Sequence, residues 1–257
     1  MKYFTITTFT IVLGIATLAA GRSILSEKPD FLATCSVKSS DVGACLAKNF
    51  EAMLHQWKDG IPGLKSVGSL DPMHIKRISM SQADGGPIAV NLNLTNVEVS
   101  GLSETSIKDN GTDIKNLILK FKLIEPAYKV TSDYALRGKL LAYEVNSKGQ
   151  VIIEMERVLQ TLTMHVTLRE EDNLKFAEID QVQIVWDDVG GMRVHFGNLF
   201  NGDAALEESA DELINGSWRF FYEIIRPAIQ QSQERFFKNF ISKIFRHIPF
   251  SYLVEGL

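Results

Sequence analysis

Residues 203–246 read DAALEESADELINGSWRFFYEIIRPAIQQSQERFFKNFISKIFR, and this run decides the fold. Its 44 residues hold no strand-like alternation and one proline, Pro227. Apolar side chains recur at helical spacing: Leu206, Ala210, Leu213, Ile214, Trp218, Phe221, Ile225, Ala228, Ile229, Phe236, Phe240 and Ile244. Seven of the 15 phenylalanines fall between Phe220 and Phe250. The run predicts one amphipathic helix roughly 65 Å long, bent near Pro227 where a backbone hydrogen bond is lost. Such a helix outreaches a compact domain and carries more apolar surface than it can bury alone. Something must wrap it, with room for an apolar space inside.

The wrapper comes before it. Over residues 88–200 the hydrophobic period is two. Val90, Leu92 and Leu94 alternate with Asn91, Asn93 and Thr95, and then the phase slips to Val97 and Val99. Leu117, Leu119, Phe121 and Leu123 follow, then Tyr128, Val130, Tyr134, Leu136 and Leu140. Val151, Ile153 and Met155 give way to Leu162, Met164, Val166 and Leu168. Slips near Asn96 and Arg157 predict β-bulges, which bend strands. Hairpin turns are expected at Asn146-Ser147-Lys148-Gly149, at residues 170–173 and at residues 188–191. Clean alternation means one apolar and one solvated face. The expected fold is therefore α+β: a strongly curved antiparallel meander of six to eight strands wrapped around the long C-terminal helix, in a single elongated domain. A flat two-layer sandwich would leave much of the helix uncovered.

Further upstream, Asp41 is placed to cap a helix whose face carries Val42, Leu46, Phe50, Met53 and Trp57, ending at Asp59-Gly60. From there to Pro87 the chain reads as an irregular connector. Residues 1–21 have a positive start at Lys2, an apolar stretch and a small-residue end, Ala19-Ala20-Gly21. They read as a secretory signal peptide, leaving residues 22–257 as the mature domain. The leader takes one of 27 basic residues and none of 31 acids, so the mature net charge is −5. That sign disfavours nucleic acid and tight binding to anionic membranes, and no stable membrane insertion is expected. In an oxidising compartment the two cysteines, Cys35 and Cys45, are expected to pair.

Chemistry-bearing motifs are missing. There is no G-x-S-x-G, H-E-x-x-H, P-loop or G-x-G-x-x-G. His165 and His195 fall one residue off the apolar phase of their strands and read as solvated. The acid pairs Glu170-Glu171, Asp187-Asp188 and Glu207-Glu208 are placed at turns or at a helix start, and no buried carboxylate is expected. No catalytic residue, metal ligand or cofactor is assigned. Three sequons begin at Asn93, Asn110 and Asn215, and Asn110, in a turn, is the best placed for a glycan.

The ordered pieces together resemble the insect takeout and haemolymph juvenile-hormone-binding protein family. They are the early pair Cys35 and Cys45, Gly60-Ile61-Pro62, Leu70-Asp71-Pro72, and Leu92-Asn93-Leu94-Thr95-Asn96-Val97 with Gly101-Leu102. Further on come Asn198-Leu199-Phe200-Asn201-Gly202-Asp203, Trp218, Arg226-Pro227-Ala228, Ile244-Phe245 and Ile248-Pro249-Phe250. The resemblance spans nearly the whole mature chain. It implies a curved sheet around a long helix enclosing an apolar tunnel for a lipid, similar to one half of the bactericidal/permeability-increasing proteins. The chain departs from the lepidopteran hormone carriers in lacking cysteines for a second disulfide, and so looks more like takeout-type members.

The resulting expectation is a secreted, extracellular, monomeric carrier in insect haemolymph. Its partner is a small elongated hydrophobic ligand: a juvenile-hormone-like terpenoid, a fatty acid or a similar lipid. Trp57, Leu64, Phe121, Tyr128, Tyr134, Trp218, Phe221 and Ile225 are the expected lining. The rivals are an interaction protein whose helix fills the sheet, and a hydrolase of an apolar ester without a supporting motif.

Overall fold

A computed structural model describes residues 24–82 and 87–257. The proposed leader, residues 1–21, lies outside the described residues. Six strands form one antiparallel sheet: β2 (Met73–Ser81), β3 (Ile88–Ser100), β4 (Ser106–Asp109), β5 (Ile118–Leu140), β6 (Tyr143–Glu171) and β7 (Leu174–Phe196). The order is β2-β3-β5-β6-β7, with β4 pairing the first part of β5 and β3 its second part. A short parallel pair, β1 (Cys35–Ser36) with β8 (Val254–Glu255), ties the two ends of the described chain together. The helices are α1 (Val42–Gln56), α2 (Ala204–Gly216) and α3 (Trp218–His247). The sheet is open. Its edge strands are β2 and β7, and α3 touches both, so the helix lies across the hollow of the bend.

The bulge expected at Asn96 is formed, and the one expected near Arg157 is not found at that residue. Asn96 has φ 52° at the register shift between β3 and β5. Arg157 has φ 50° on β6, but the pairing keeps its register on both sides of it, and the shifts between β6 and β7 fall after Leu159 and after His165. At both positions the inward apolar set changes phase through a left-handed residue, and at Asn96 an extra residue is absorbed without a partner. Asp172 and Asn173, both at positive φ, make the expected turn between β6 and β7.

Five further expectations are corrected. The C-terminal run is two helices, not one: it breaks at Ser217, and Pro227 is carried inside α3. Pro227 is exposed, so the carbonyl it leaves without a backbone donor lies on the solvent side. The break follows Asn215-Gly216, a weak helical pair whose asparagine is occupied by the sheet, as described below. Asn146-Ser147-Lys148-Gly149 is not a hairpin turn but part of β6, and the turn comes earlier, at Leu141 and Ala142. Small residues stand there because Tyr134 lies across from Gly149. A Cβ on Gly149 would come 3.2 Å from its ring and 2.0 Å from the Gly197 carbonyl oxygen. Residues 188–191 likewise run on within β7. A Cβ on Gly190 would sit 2.4 Å from Nε of Arg157, so glycine here makes room for the arginine side chain opposite. The connector before Pro87 contains a full edge strand, β2, whose polar residues obscured its alternation. Asp41 precedes α1 but caps nothing, since its carboxylate accepts instead from the Ser39 hydroxyl.

The disulfide Cys35–Cys45 is formed and fastens β1 to α1. Two sequence pieces thirty residues apart also meet. The Asp71 carboxylate accepts from the backbone N–H of Gly101 at 3.0 Å and of Ser103 at 2.8 Å, and from the Ser103 hydroxyl at 2.6 Å. Burial raises its pKa, but these donors outweigh burial and hold it below the ordinary value.

Candidate functional site

The inner face of the sheet meets two different environments. Beside α1 it is packed solid. Phe121 stands edge-on to Phe50 at 5.1 Å, Phe50 meets Phe245 at 5.9 Å, and Phe245 meets Phe250 at 5.9 Å. His247, at the end of α3, is buried, with Nε2 2.8 Å from the Pro62 carbonyl oxygen. Beyond this block, between Glu125 and Leu140 of β5, the inner face encloses a cavity of about 300 Å³. That volume is at the lower end of the ~300–1,000 Å³ range of small-molecule pockets.

Five strands and two helices supply the wall. From β2 come Ile75, Ile78 and Met80; from β3, Val90, Leu92 and Val99; from β6 and β7, Ile153, Met155, Trp186, Met192 and Val194. α3 closes the chamber with residues from Phe221 to Phe237, about 24 Å of helix axis. It is held along the edge of β7 by side chains acting in place of a neighbouring strand. Glu234 accepts from the Ile184 N–H at 3.0 Å and Gln230 donates to the Ile184 carbonyl at 3.1 Å. Asn215 of α2 does both for Val194, at 2.8 and 2.9 Å. Lys238 donates to the Asp180 carbonyl at 2.6 Å. The edge strand's free backbone groups, which would otherwise seek a partner, thereby position the helix.

One polar chain enters the otherwise apolar wall. The Trp186 indole N–H donates to Gln233 at 2.7 Å, Gln233 donates to Gln160 at 3.1 Å, and Gln160 donates to Glu125 at 3.2 Å. Glu125 is buried, contrary to the expectation that no carboxylate would be. Burial pushes its carboxyl up to about 7, partly opposed by the Gln160 hydrogen bond. Tyr128 is surrounded by protein, and burial pushes its phenol well above the ordinary value, with the Glu125 and Tyr222 side chains adding to the rise. Its remaining accessible surface faces the cavity.

Of the eight residues expected to line a tunnel, Tyr128, Phe221 and Ile225 stand in the cavity wall. The other five are elsewhere. Trp57 packs edge-on against Phe31 at 5.2 Å, and Phe121 belongs to the solid block. The Tyr134 hydroxyl donates to the Gly197 carbonyl at 3.0 Å while its ring meets Phe196. Trp218 lies beneath the Arg219 guanidinium at 4.4 Å. Leu64 borders a shallow surface depression with Lys243 and Arg246. The wall residues of β2 and the Glu125–Gln160–Gln233 chain were not anticipated. One signal for Glu125 was present: it continues the odd, inward phase of Leu119, Phe121 and Leu123.

Asn93 and Asn110 are exposed, whereas the Asn215 amide is spent on Val194 and on the Asp211 carbonyl, and a glycan on that nitrogen would displace these bonds. Among the described residues, no helix is long and apolar enough to cross a membrane.

An open, bent antiparallel sheet closed by a long helix around an apolar chamber defines a class of single-domain α+β folds. Within it, this chain belongs to the haemolymph juvenile hormone binding protein family, whose sequence model matches residues 10–255. It is similar to the circadian clock-controlled protein daywake of Drosophila melanogaster, 23% identical over 96% of both chains. It is also similar to the protein of that name from Drosophila yakuba, 22% identical over 86% of both. The crystal structure of Epiphyas postvittana Takeout 1 superposes with a TM-score of 0.72 at 17% identity. The match covers 87% of this chain and 99% of that one, and it shows a shared fold.

Proposed function

We propose that the protein is a secreted, non-enzymatic carrier that holds one small, elongated, hydrophobic molecule in the chamber between the sheet and α3. The observation that carries this reading is the cavity of about 300 Å³, walled almost entirely by apolar side chains. A protein that merely buried its own helix would fill that space, since interiors are normally packed to crystal-like density. Family membership supports the same reading. Binding is driven by transfer of ligand surface from water, about 2.5 kcal/mol for each 100 Å². Association costs about 4–15 kcal/mol, so the ligand must bury several hundred Å². A terpenoid or a long acyl chain meets that demand.

Residues 1–21 act in this reading as the export signal, and the Cys35–Cys45 disulfide fits an oxidising destination. Asn110 and Asn93 are the sequons open to glycosylation. Of the eight residues first expected at the ligand, Tyr128, Phe221 and Ile225 are proposed to touch it, and the wall residues of β2 and β3 join them.

The test is organic extraction and mass spectrometry of protein purified from its native source, with displacement of a neutral fluorescent apolar probe from the delipidated protein. A stoichiometric lipid and probe displacement are the expected results. A clean extract and no probe binding would sink the reading. Ile225→Trp should abolish probe binding while export and thermal unfolding stay near wild type.

A further inference from the structure

The chamber has a distinct chemical end. Glu125 stands where the solid block stops and the cavity begins, so an elongated ligand lying along α3 places one terminus against it. Among the described residues of the wall, no lysine, arginine or histidine accompanies it. The groups around it are neutral: Gln160 from β6, Trp186 from β7, Gln233 from α3, and Tyr128 from its own strand. Gln160 is its hydrogen-bond donor among the described residues, and it spends one amide N–H on one carboxylate oxygen.

A site for an anionic headgroup is built the other way, with a cation or several N–H donors aimed at the charge. Here a buried lipid carboxylate would find no counter-ion and would face a second carboxyl group. Two such groups sharing a dry site cannot both ionise cheaply. A hydroxyl suits the same place in either protonation state. It donates to the carboxylate, and it accepts from the carboxylic acid.

We infer that Glu125 is a specificity-determining residue that makes the chamber select hydroxyl-bearing neutral lipids and reject lipids ending in a carboxylate. The inference rests on the carrier reading above, and it narrows the ligand class by removing free fatty acids.

The test uses the full mature protein, delipidated, with N-phenyl-1-naphthylamine as a neutral reporter. At pH 8, tetradecanol and myristate compete for the reporter in wild type and in Glu125→Gln. In wild type, tetradecanol should displace it at a concentration lower by about tenfold or more, a gap equivalent to one pKa unit of charge discrimination. Glu125→Gln should close the gap to within about threefold, mainly by improving myristate. Equal competition by the two lipids in wild type overturns the inference without need of the variant. A gap that persists unchanged in Glu125→Gln overturns it too, because general desolvation of the ligand would then account for the preference. Failure of the reporter to bind at all is a different result, and it removes the carrier reading itself.

Discussion

Beside α1, the sheet's inner residues meet Phe50, Phe245 and Phe250 in a continuous block of rings, and beside the first half of α3 the same sheet faces empty volume. The strands are shared: β5 and β6 run through both halves, and their inward residues are mostly apolar, with Glu125 and Gln160 as exceptions at the boundary. What differs is the covering layer. In the solid half α1 and the end of α3 both press on the sheet, and the joined chain ends seal it. In the hollow half α3 and the short α2 cover a bend several strands wide. Strand patterning therefore sets which face points inward, while the layer packed opposite sets whether that face is filled.

The largest effect that would break this comparison is a pair of truncations. Phe121→Ala should cost about 3–5 kcal/mol, because it opens a void in a packed block. Ile225→Ala, whose side chain already borders empty space and forfeits fewer contacts, should cost about 2 kcal/mol, the low end for such a truncation. Urea unfolding reads both, and equal losses would mean the two halves are packed alike.

The next effect belongs to the boundary. The Glu125 carboxyl rises from an ordinary 4.5 to about 7 in the folded protein, so the folded state holds this proton more tightly than the unfolded chain does. The group's destabilising effect is absent below about pH 4.5, and it grows as pH rises through about 7. Glu125→Gln escapes it. Melting curves should give the variant an advantage approaching 3 kcal/mol at pH 8 and almost none near pH 4.5. A difference that did not vary with pH would argue against a buried acid.

Removing the staple of the solid half, Cys35→Ser with Cys45→Ser, should cost about 2–3 kcal/mol for so short a loop. Hydrogen exchange should quicken in α1 and β8 while apolar probe binding persists. Loss of binding along with stability would mean that the halves are not separable. The smallest effect is on the hollow side. Asn215→Ala strips Val194 of both its side-chain partners and should cost about 1–2 kcal/mol, with faster exchange at the Val194 amide.

Much of the fold was legible because its signals are local. The phase slip at Asn96 required a bulge, and Asp172-Asn173 required a turn, whereas at Arg157 the phase changes with the register kept. The sequence analysis failed where a local cue answers to a distant residue. Ser147-Lys148-Gly149 resembles a hairpin turn, but its small residues accommodate Tyr134 from the next strand. Gly190-Gly191 reads as a turn, but it accommodates Arg157. Asn215-Gly216-Ser217 reads as mid-helix, but Asn215 is engaged by Val194. The site was harder still. Trp57 and Phe121 have the size and polarity of lining residues, and only the position of α1 sends Trp57 to Phe31 and Phe121 to the solid block. Glu125 sat in the inward phase of a strand, yet its burial depends on Gln160 and Gln233, which are distant in sequence.

The lacing of Asn215, Gln230, Glu234 and Lys238 onto β7 has a consequence for the protein's life in solution. β7 is a 23-residue edge strand, the kind of surface to which another chain adds by strand pairing. While α2 and α3 are seated, their side chains occupy backbone groups along that edge. Were α3 to lift, the chamber would open and the template for aggregation would be uncovered in the same movement. On the carrier reading proposed above, a bound molecule that keeps α3 seated protects the protein from clumping, and the emptied protein is the species most exposed to it.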